Sequence, residues 1–374
     1  MPVAAPGIRA AGLAEGLRAH GHDVNVAIPQ DVLAQLFGDD IPPPPNGALV
    51  AAPTSLQQVI VDGEFTVVVF INANLAPHLR PIPGVHYVYD LFAPKLLESL
   101  ASPSPARPWQ DLSAEKSRAM ALADSVWVNG RRKLGYGLSW LLRPDVDAIR
   151  TTEFGLPSIV NAHVADRLSV VEMPVPLPAD LTTPPAAHGG ERIRLGVAGY
   201  SQEWSALTQI HRGHQLFVDA GHELHALLPA HWGGGDAPAP RNALPKETTI
   251  HSGPLIFEDF ARWVRGMDAM VDVFAATSER RFAMITRSAV ALRLGVPLVH
   301  AVDSEIADIV EEHDAGWTLD PGDNDGWQRV SNELTDPGIL EQKRRGAAAA
   351  SRERFAPTAA LASAAQALSQ MASR

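Results

Sequence analysis

The stretch from Thr277 to Val299, TSERRFAMITRSAVALRLGVPLV, decides how the rest of the chain is read. Glu279, Arg280 and Arg281 stand at its start, and Arg287 lies along one side of the segment after them. Met284, Ile285, Ala289, Val290, Leu292 and Leu294 recur at three- and four-residue spacings, the period of a helix with one apolar face. Gly295 ends that helix where a left-handed residue costs least, and Pro297 prevents its resumption. The run LVHAV is short and apolar, as expected of a strand in a parallel sheet covered on both faces. The stretch therefore predicts a loop, a helix, a tight turn and a buried strand, the sequence of elements of an α/β fold.

Beyond this stretch, 374 residues favour two domains over one, and 46% hydrophobic residues suffice for two cores. Lys plus Arg total 31 against 42 Asp plus Glu, a net charge of -11. That balance argues against nucleic-acid binding and against a broad basic membrane-docking face. The chain has no cysteine, which excludes disulfides, thiolate chemistry and cysteine-ligated zinc, and which fits a cytoplasmic setting. No segment approaches the roughly eighteen consecutive apolar residues of a transmembrane helix. No basic-then-apolar signal peptide opens the sequence. Abundant Ala, Gly, Pro and Arg with scarce Lys point to a GC-rich bacterial genome.

Other elements emerge from the same signals. Residues 1–29 read as a helix capped by Gly21 and then the strand VNVAI. TVVVFIN (66–72), VHYVYDLFAP (85–94) and SVWVN (125–129) read as strands, with a helix over Ser113–Ala123. IRLGVAGY (193–200) and LHALLP (224–229) open a second set, and LASAAQALSQMASR reads as a terminal helix. Pro42–Pro45 and the Gly/Pro-rich HWGGGDAPAPRNALP read as loops. The histidines are scattered, and His211 and His214 share a face without an evident third ligand.

The opening stretch resembles the donor-binding helix of GT-B glycosyltransferases, family 4 in particular, through Glu279, Arg281, Phe282, Thr286, Arg287, Gly295 and Pro297. FEDFARWVRGMDAMVDVF before it is similar to that family's preceding helix and strand. Residues 1–29 are similar to the family's opening, VVEMPVPLP (170–178) to the close of its first domain, and DAGWTLDPGD to a common ending. The resemblance implies two Rossmann-like domains facing across a cleft, with a C-terminal helix crossing back to the first. Residues 1–178 would form the acceptor-side domain, 179–191 a linker, 192–352 the nucleotide-sugar-binding domain and 353–374 the crossing helix. The family has a short strand before its first loop, whereas Met1 almost begins that loop here, so this strand is expected to be absent, through a start placed too far downstream (the favoured reading), trimming of the protein, or a sheet that lacks its central strand.

The function implied is transfer of a sugar from a nucleotide-diphosphate sugar, the co-substrate, to a hydroxyl of a sugar or small-molecule acceptor. Retention of configuration and independence of any bound metal or other cofactor are implied with it. Gly7 and Arg9, at a helix N-terminus, would face donor phosphates, although Pro6 and Gly7 also read as simple turn residues before a helix. Gly199, Arg281 and Arg287 would serve the phosphates, with Arg212 the cation nearest that strand. Glu279, Ser304 and Glu305 would serve the sugar, although Ser304 also reads as a helix cap. Asp90, at a strand's carboxyl end, is the candidate base. His78 and His86 are weaker candidates, and Arg131, Arg132 and Lys133 read either as anion contacts or as a solvated helix start.

The sequence departs from the family in three places. Val290 stands where the family carries a ribose-binding carboxylate, Ala93 replaces a second acidic residue after Asp90, and only Gly199 and Trp204 survive of a Gly-Gly-Trp segment. An alternative is therefore a catalytically degenerate relative acting as a binding or scaffold partner of an active enzyme.

Overall fold

The computed structural model describes residues 5–31, 48–101, 107–160, 164–181, 192–199, 211–227, 244–251 and 256–372. Trp204, Pro42–Pro45, residues 182–191 of the expected linker and most of the expected 231–245 loop lie outside these. The strands are β1 (Val26–Pro29), β2 (Ala48–Ala51), β3 (Val67–Ile71), β4 (His86–Leu91), β5 (Ser125–Val128), β6 (Leu168–Val170), β7 (Arg194–Ala198), β8 (Glu223–Leu227), β9 (Thr249–His251), β10 (Ala269–Asp272), β11 (Leu298–Ala301) and β12 (Gly316–Leu319). Six helices matter for the site: α1 (Ala5–Ala19), α2 (Trp109–Leu122), α3 (Ser278–Phe282), α4 (Thr286–Arg293), α5 (Glu305–Glu312) and α6 (Pro357–Ala372).

The C-terminal half is built on one parallel sheet in the order β12-β11-β10-β7-β8-β9. β7, β8 and β9 step one way from the centre, and β10, β11 and β12 step the other. This is a doubly wound sheet, and ligands of such sheets bind beyond the carboxyl ends near the reversal, here between β7 and β10. β10 is buried along its whole length, which suits the unbroken apolar run that precedes Asp272.

The N-terminal strands fall into a parallel sheet β3-β4-β5-β6 and a separate parallel pair β1-β2. Alternation along β4 sends Tyr87, Tyr89 and Leu91 into the cluster beneath α2, and Val88 to the opposite face. On that opposite face Leu13 and Leu17 of α1 meet Leu361, Ala364, Ala365 and Leu368 of α6. The last helix thus crosses back to the first half, as expected. The approach is close enough that a Cβ at Gly16 would lie 2.5 Å from the Pro357 carbonyl oxygen.

The decisive stretch differs from its prediction in one respect. It forms two short helices, α3 and α4, with Ala283 and Ile285 extended between them (ψ 132° and 106°). Ala283, Met284 and Ile285 are all buried, and an extended break can turn three consecutive side chains inward where a helix would send some outward. The turn itself is as predicted: Gly295 has φ +75° and β11 follows Pro297.

Candidate functional site

The loops leaving β10 and β11 enclose a small pocket of about 20 Å³. Its wall includes Phe274, Thr277, Arg280, His300, Asp303 and Ser304. The short helix α3 is set at this mouth by Thr277, whose Oγ1 accepts from the Arg280 N–H at 3.2 Å. Ser304 caps α5 in the same way, accepting from Ala307 N–H at 3.0 Å.

Behind the wall lies a buried charge cluster. Asp272, the last residue of β10, accepts from Arg287 Nη2 at 2.6 Å and from the Ser288 hydroxyl. Burial pushes the Asp272 carboxyl up, but Arg287, His300 and Arg280 together outweigh it and hold it below the usual range. Arg287 and Arg280 both place their guanidinium groups 4.5 Å from the centre of the Phe274 ring. Arg287 also abuts Gly199, where a Cβ would lie 3.1 Å from its Nη1. Glu279 is 5% exposed, and its Oε2 stands 3.3 Å from Arg280 Nε as an ion pair without hydrogen-bond geometry. Burial raises the Glu279 carboxyl above its ordinary range, against the pull of Arg280. Arg287 Nε and His300 Nε2 are likewise buried without a hydrogen bond to any of the described residues.

The N-terminal half contributes a second cluster. Arg9 and Asp90 are fully buried, and Arg9 grips both carboxylate oxygens, through Nε at 2.9 Å and Nη2 at 3.0 Å. Its guanidinium also donates to the carbonyls of Val171 and Glu172. Lys133 is 1% exposed and donates to Phe92 O at 2.7 Å and to Asn129 Oδ1. Burial lowers the Lys133 ammonium to about 7, with the nearby Asp90 opposing the shift. Lys116 on α2, also buried, is lowered to about 7 by burial and by Lys133, and meets the Tyr136 hydroxyl at 2.5 Å.

The two halves touch through ionic and aromatic contacts. Glu305 accepts from the backbone N–H of Arg131 at 3.0 Å and of Arg132 at 2.9 Å. Arg132 reaches Asp303 and Asp308, Arg281 also reaches Asp303, and Tyr136 stacks on Phe282 at 5.8 Å.

Of the residues expected from sequence, Ser304 lines the pocket, Glu279 and Arg287 lie behind its wall against Arg280 and Phe274, and Gly199 abuts Arg287. Arg281, expected to serve the phosphates with Arg287, is 58% exposed on α3 and turned to Asp303 at the rim. Glu305 points across to the other half rather than into the pocket. Arg9 and Asp90, expected to serve phosphate and base, occupy each other. Gly7 lies in the first turn of α1 rather than in a loop before it. His86 stands 3.9 Å from Asp124, and His78 ends a short turn after β3. Asp272, Phe274 and His300 were not singled out by sequence, and Arg280 was named only as a charge at the start of the stretch. Their one available signal is position, since Asp272 and His300 face each other in register at the carboxyl ends of neighbouring strands.

No protein-family model matches the chain, and no curated protein does. Among solved structures, a sucrose-phosphate synthase from Thermosynechococcus elongatus superposes with a TM-score of 0.69 at 11% identity, covering 96% of this chain and 91% of that one. WaaG, a glycosyltransferase involved in lipopolysaccharide biosynthesis, gives 0.59 at 11% identity over 96% and 94% of the two chains. The Anabaena protein HepE in complex with UDP-glucose gives 0.57 at 14% identity over 96% and 94%. These likenesses span nearly the whole chain and agree with the doubly wound C-terminal sheet and the returning α6: the chain has the GT-B fold.

Proposed function

We propose that the protein is a glycosyltransferase that moves a sugar from a nucleotide-diphosphate sugar to the hydroxyl of a sugar or small-molecule acceptor. The observation that carries this reading is the paired guanidinium groups of Arg280 and Arg287, crowded on Phe274 behind a pocket at the carboxyl ends of β10 and β11. As the bond from the anomeric carbon to the diphosphate breaks, negative charge grows on the leaving oxygen. Preorganised cations in a largely buried site stabilise that charge without reorganising. Glu279, whose buried Oε2 is ion-paired with Arg280 Nε at 3.3 Å, is the carboxylate assigned to the sugar. Retention of configuration goes with the family resemblance, as does transfer without a metal, the arginine pair here offsetting the leaving-group charge. In this reading residues 1–178 form the acceptor side, 192–352 the donor side, and 179–191 the link between them. A cytoplasmic bacterial enzyme fits the cysteine-free, arginine-rich composition.

One observation favours the second reading, a degenerate relative that supports an active partner. Val290 is fully buried in the apolar core, so α4 offers no acceptor where the family places its ribose-binding carboxylate. Calorimetry against UDP-, GDP- and dTDP-sugars separates the two. Binding of one of them by the folded protein, followed by its turnover with an acceptor, is the expected result. No binding of any overturns the transferase reading and leaves the scaffold.

A further inference from the structure

We propose that residues 130–136 act as a latch that ties both loops of the pocket to the N-terminal half and keeps the pocket shut until an anionic ligand takes the arginines at its rim. The inference rests on the transferase reading only for the identity of that ligand, a nucleoside diphosphate or its sugar.

The pocket holds about 20 Å³, room for about one or two waters. Ligand pockets run to about 300–1,000 Å³. A nucleotide sugar therefore cannot enter the site as it stands, and the loops that form it must part. Both loops are tied to one short segment of the N-terminal half, the one that follows β5. From the loop after β10, Phe282 stacks on Tyr136 with ring centres 5.8 Å apart. From the loop after β11, Asp303 meets Arg132, which also forks onto Asp308 of α5 through two bonds of 2.7 Å. Glu305, the first residue of α5, accepts from the Arg131 and Arg132 N–H groups.

These contacts differ in strength. Glu305 is 4% exposed, and its carboxylate satisfies N–H groups that the start of the turn Arg131–Lys133 leaves open. Gly130 permits this approach, since a Cβ there would lie 2.6 Å from the Glu305 carboxyl carbon. The arginine pairs are part-exposed, so water and salt weaken them. A diphosphate accepts from a guanidinium as a carboxylate does, so it can compete there. Asp303 joins Arg132 of one half to Arg281 of the other, and an anion that takes both arginines undoes the rim contact with them. The halves also share an apolar cluster that includes Ile8 and Phe92 with Met284 and Ile285. Unlatching therefore shifts a balance between shut and open forms, and ligand affinity reports the shift.

The test is small-angle X-ray scattering, and calorimetry with UDP, GDP and dTDP, on wild type, Asp308→Ala, Glu305→Ala and the double variant. None of these changes removes an arginine or a residue of the pocket wall. The radius of gyration should grow from wild type to the double variant. One diphosphate should bind the double variant about fivefold or more tightly than wild type, because a shut form lowers apparent affinity by the fraction that is open. Asp308→Ala alters an exposed carboxylate and should give part of both changes, so it decides the question if Glu305→Ala fails to fold. Raising salt from about 0.05 to about 0.5 M should expand wild type more than the double variant. An unchanged radius in every folded variant, or weaker diphosphate binding by the variants, overturns the latch, and binding by wild type then leaves the transferase reading intact. Expansion of the variants without binding of any diphosphate by any form keeps the latch and overturns the transferase reading.

Discussion

Asp90→Ala should destabilise the protein by about 3 kcal/mol, a loss characteristic of a structural ion pair. Arg9 and Asp90 are both fully buried, and two bonds of 2.9 and 3.0 Å join the guanidinium to the two carboxylate oxygens. Removing one partner of such a pair strands the other charge away from water, at a cost of about 3–5 kcal/mol. Arg9 keeps its bonds to the Val171 and Glu172 carbonyls, which places the cost at the lower end. An exposed pair of the same geometry would contribute only about 0–1 kcal/mol. Urea denaturation of wild type, Asp90→Ala, Arg9→Met and the double variant reads both the cost and its origin. The double variant should be less damaged than the sum of the single ones by about 2 kcal/mol, since it leaves no unpaired charge. Asp90→Ala within about 0.5 kcal/mol of wild type, or additive single effects, would refute the argument and make Asp90 a candidate base again.

The remaining expectations concern charge and backbone at the same site. Lys116 and Lys133 sit at about 7 in the fold against an ordinary value of 10.5, so between those values the unfolded chain binds more protons and stability rises with pH. The gain is up to about 1.4 kcal/mol per pH unit for each lysine, and a flat wild-type profile between about pH 7 and 9, or an unchanged slope in Lys116→Met, would contradict it. A Cβ at Gly130 would lie 2.6 Å from the Glu305 carboxyl carbon, so Gly130→Ala should cost about 1–3 kcal/mol in wild type and distinctly less in a Glu305→Ala background, as measured by thermal melting. Gly295→Ala, at φ +75°, should cost about 1–2 kcal/mol by urea denaturation, and a neutral result would mean the turn relaxes. Asp303→Asn keeps a residue type that tolerates its φ of +62° and frees Arg132 and Arg281; calorimetry should show tighter nucleotide-diphosphate binding, and weaker binding would place both arginines outside the site.

What could be read from the sequence was what local chemistry decides. The helix-ending Gly295 and the strand after Pro297 depend on residues within one turn of each other, and both are where they were expected. The break between α3 and α4 has no such local cause. It comes from the burial of Ala283, Met284 and Ile285 together, which is settled by the neighbouring elements. The same break puts Arg281 and Arg287 on separate helices. Arg9 and Asp90 were each legible as functional in type, but nothing in the chain signals a pairing across 81 positions. Glu305 reads as a helix-start carboxylate, and its partners are N–H groups 174 and 173 residues away. His300 was hidden inside the apolar run LVHAV, where a histidine reads as a strand residue until the strand's carboxyl end is located.

The charges of the site also indicate where an anion can enter. Asp90 belongs to Arg9, Asp272 to Arg287 and Ser288, Glu305 to two backbone N–H groups, and Asp303 to Arg132 and Arg281. A diphosphate must therefore compete with a carboxylate for almost every cation it meets. Displacing Asp272 from Arg287 would leave a buried carboxylate uncompensated, a cost of several kcal/mol. Displacing Asp303 costs far less, since it is 41% exposed and Arg281 is 58% exposed, and water takes over whatever the arginines release. The rim pair is consequently the contact an incoming phosphate can break, while the buried pair holds Arg287 against Phe274 and Gly199 throughout. Arg280 forms a third such pair, its Nε 3.3 Å from Glu279 Oε2, and burial holds that carboxyl above the ordinary carboxylate range. An anion at Arg280 would therefore have to displace a buried carboxylate, the costly exchange that the exposed rim avoids.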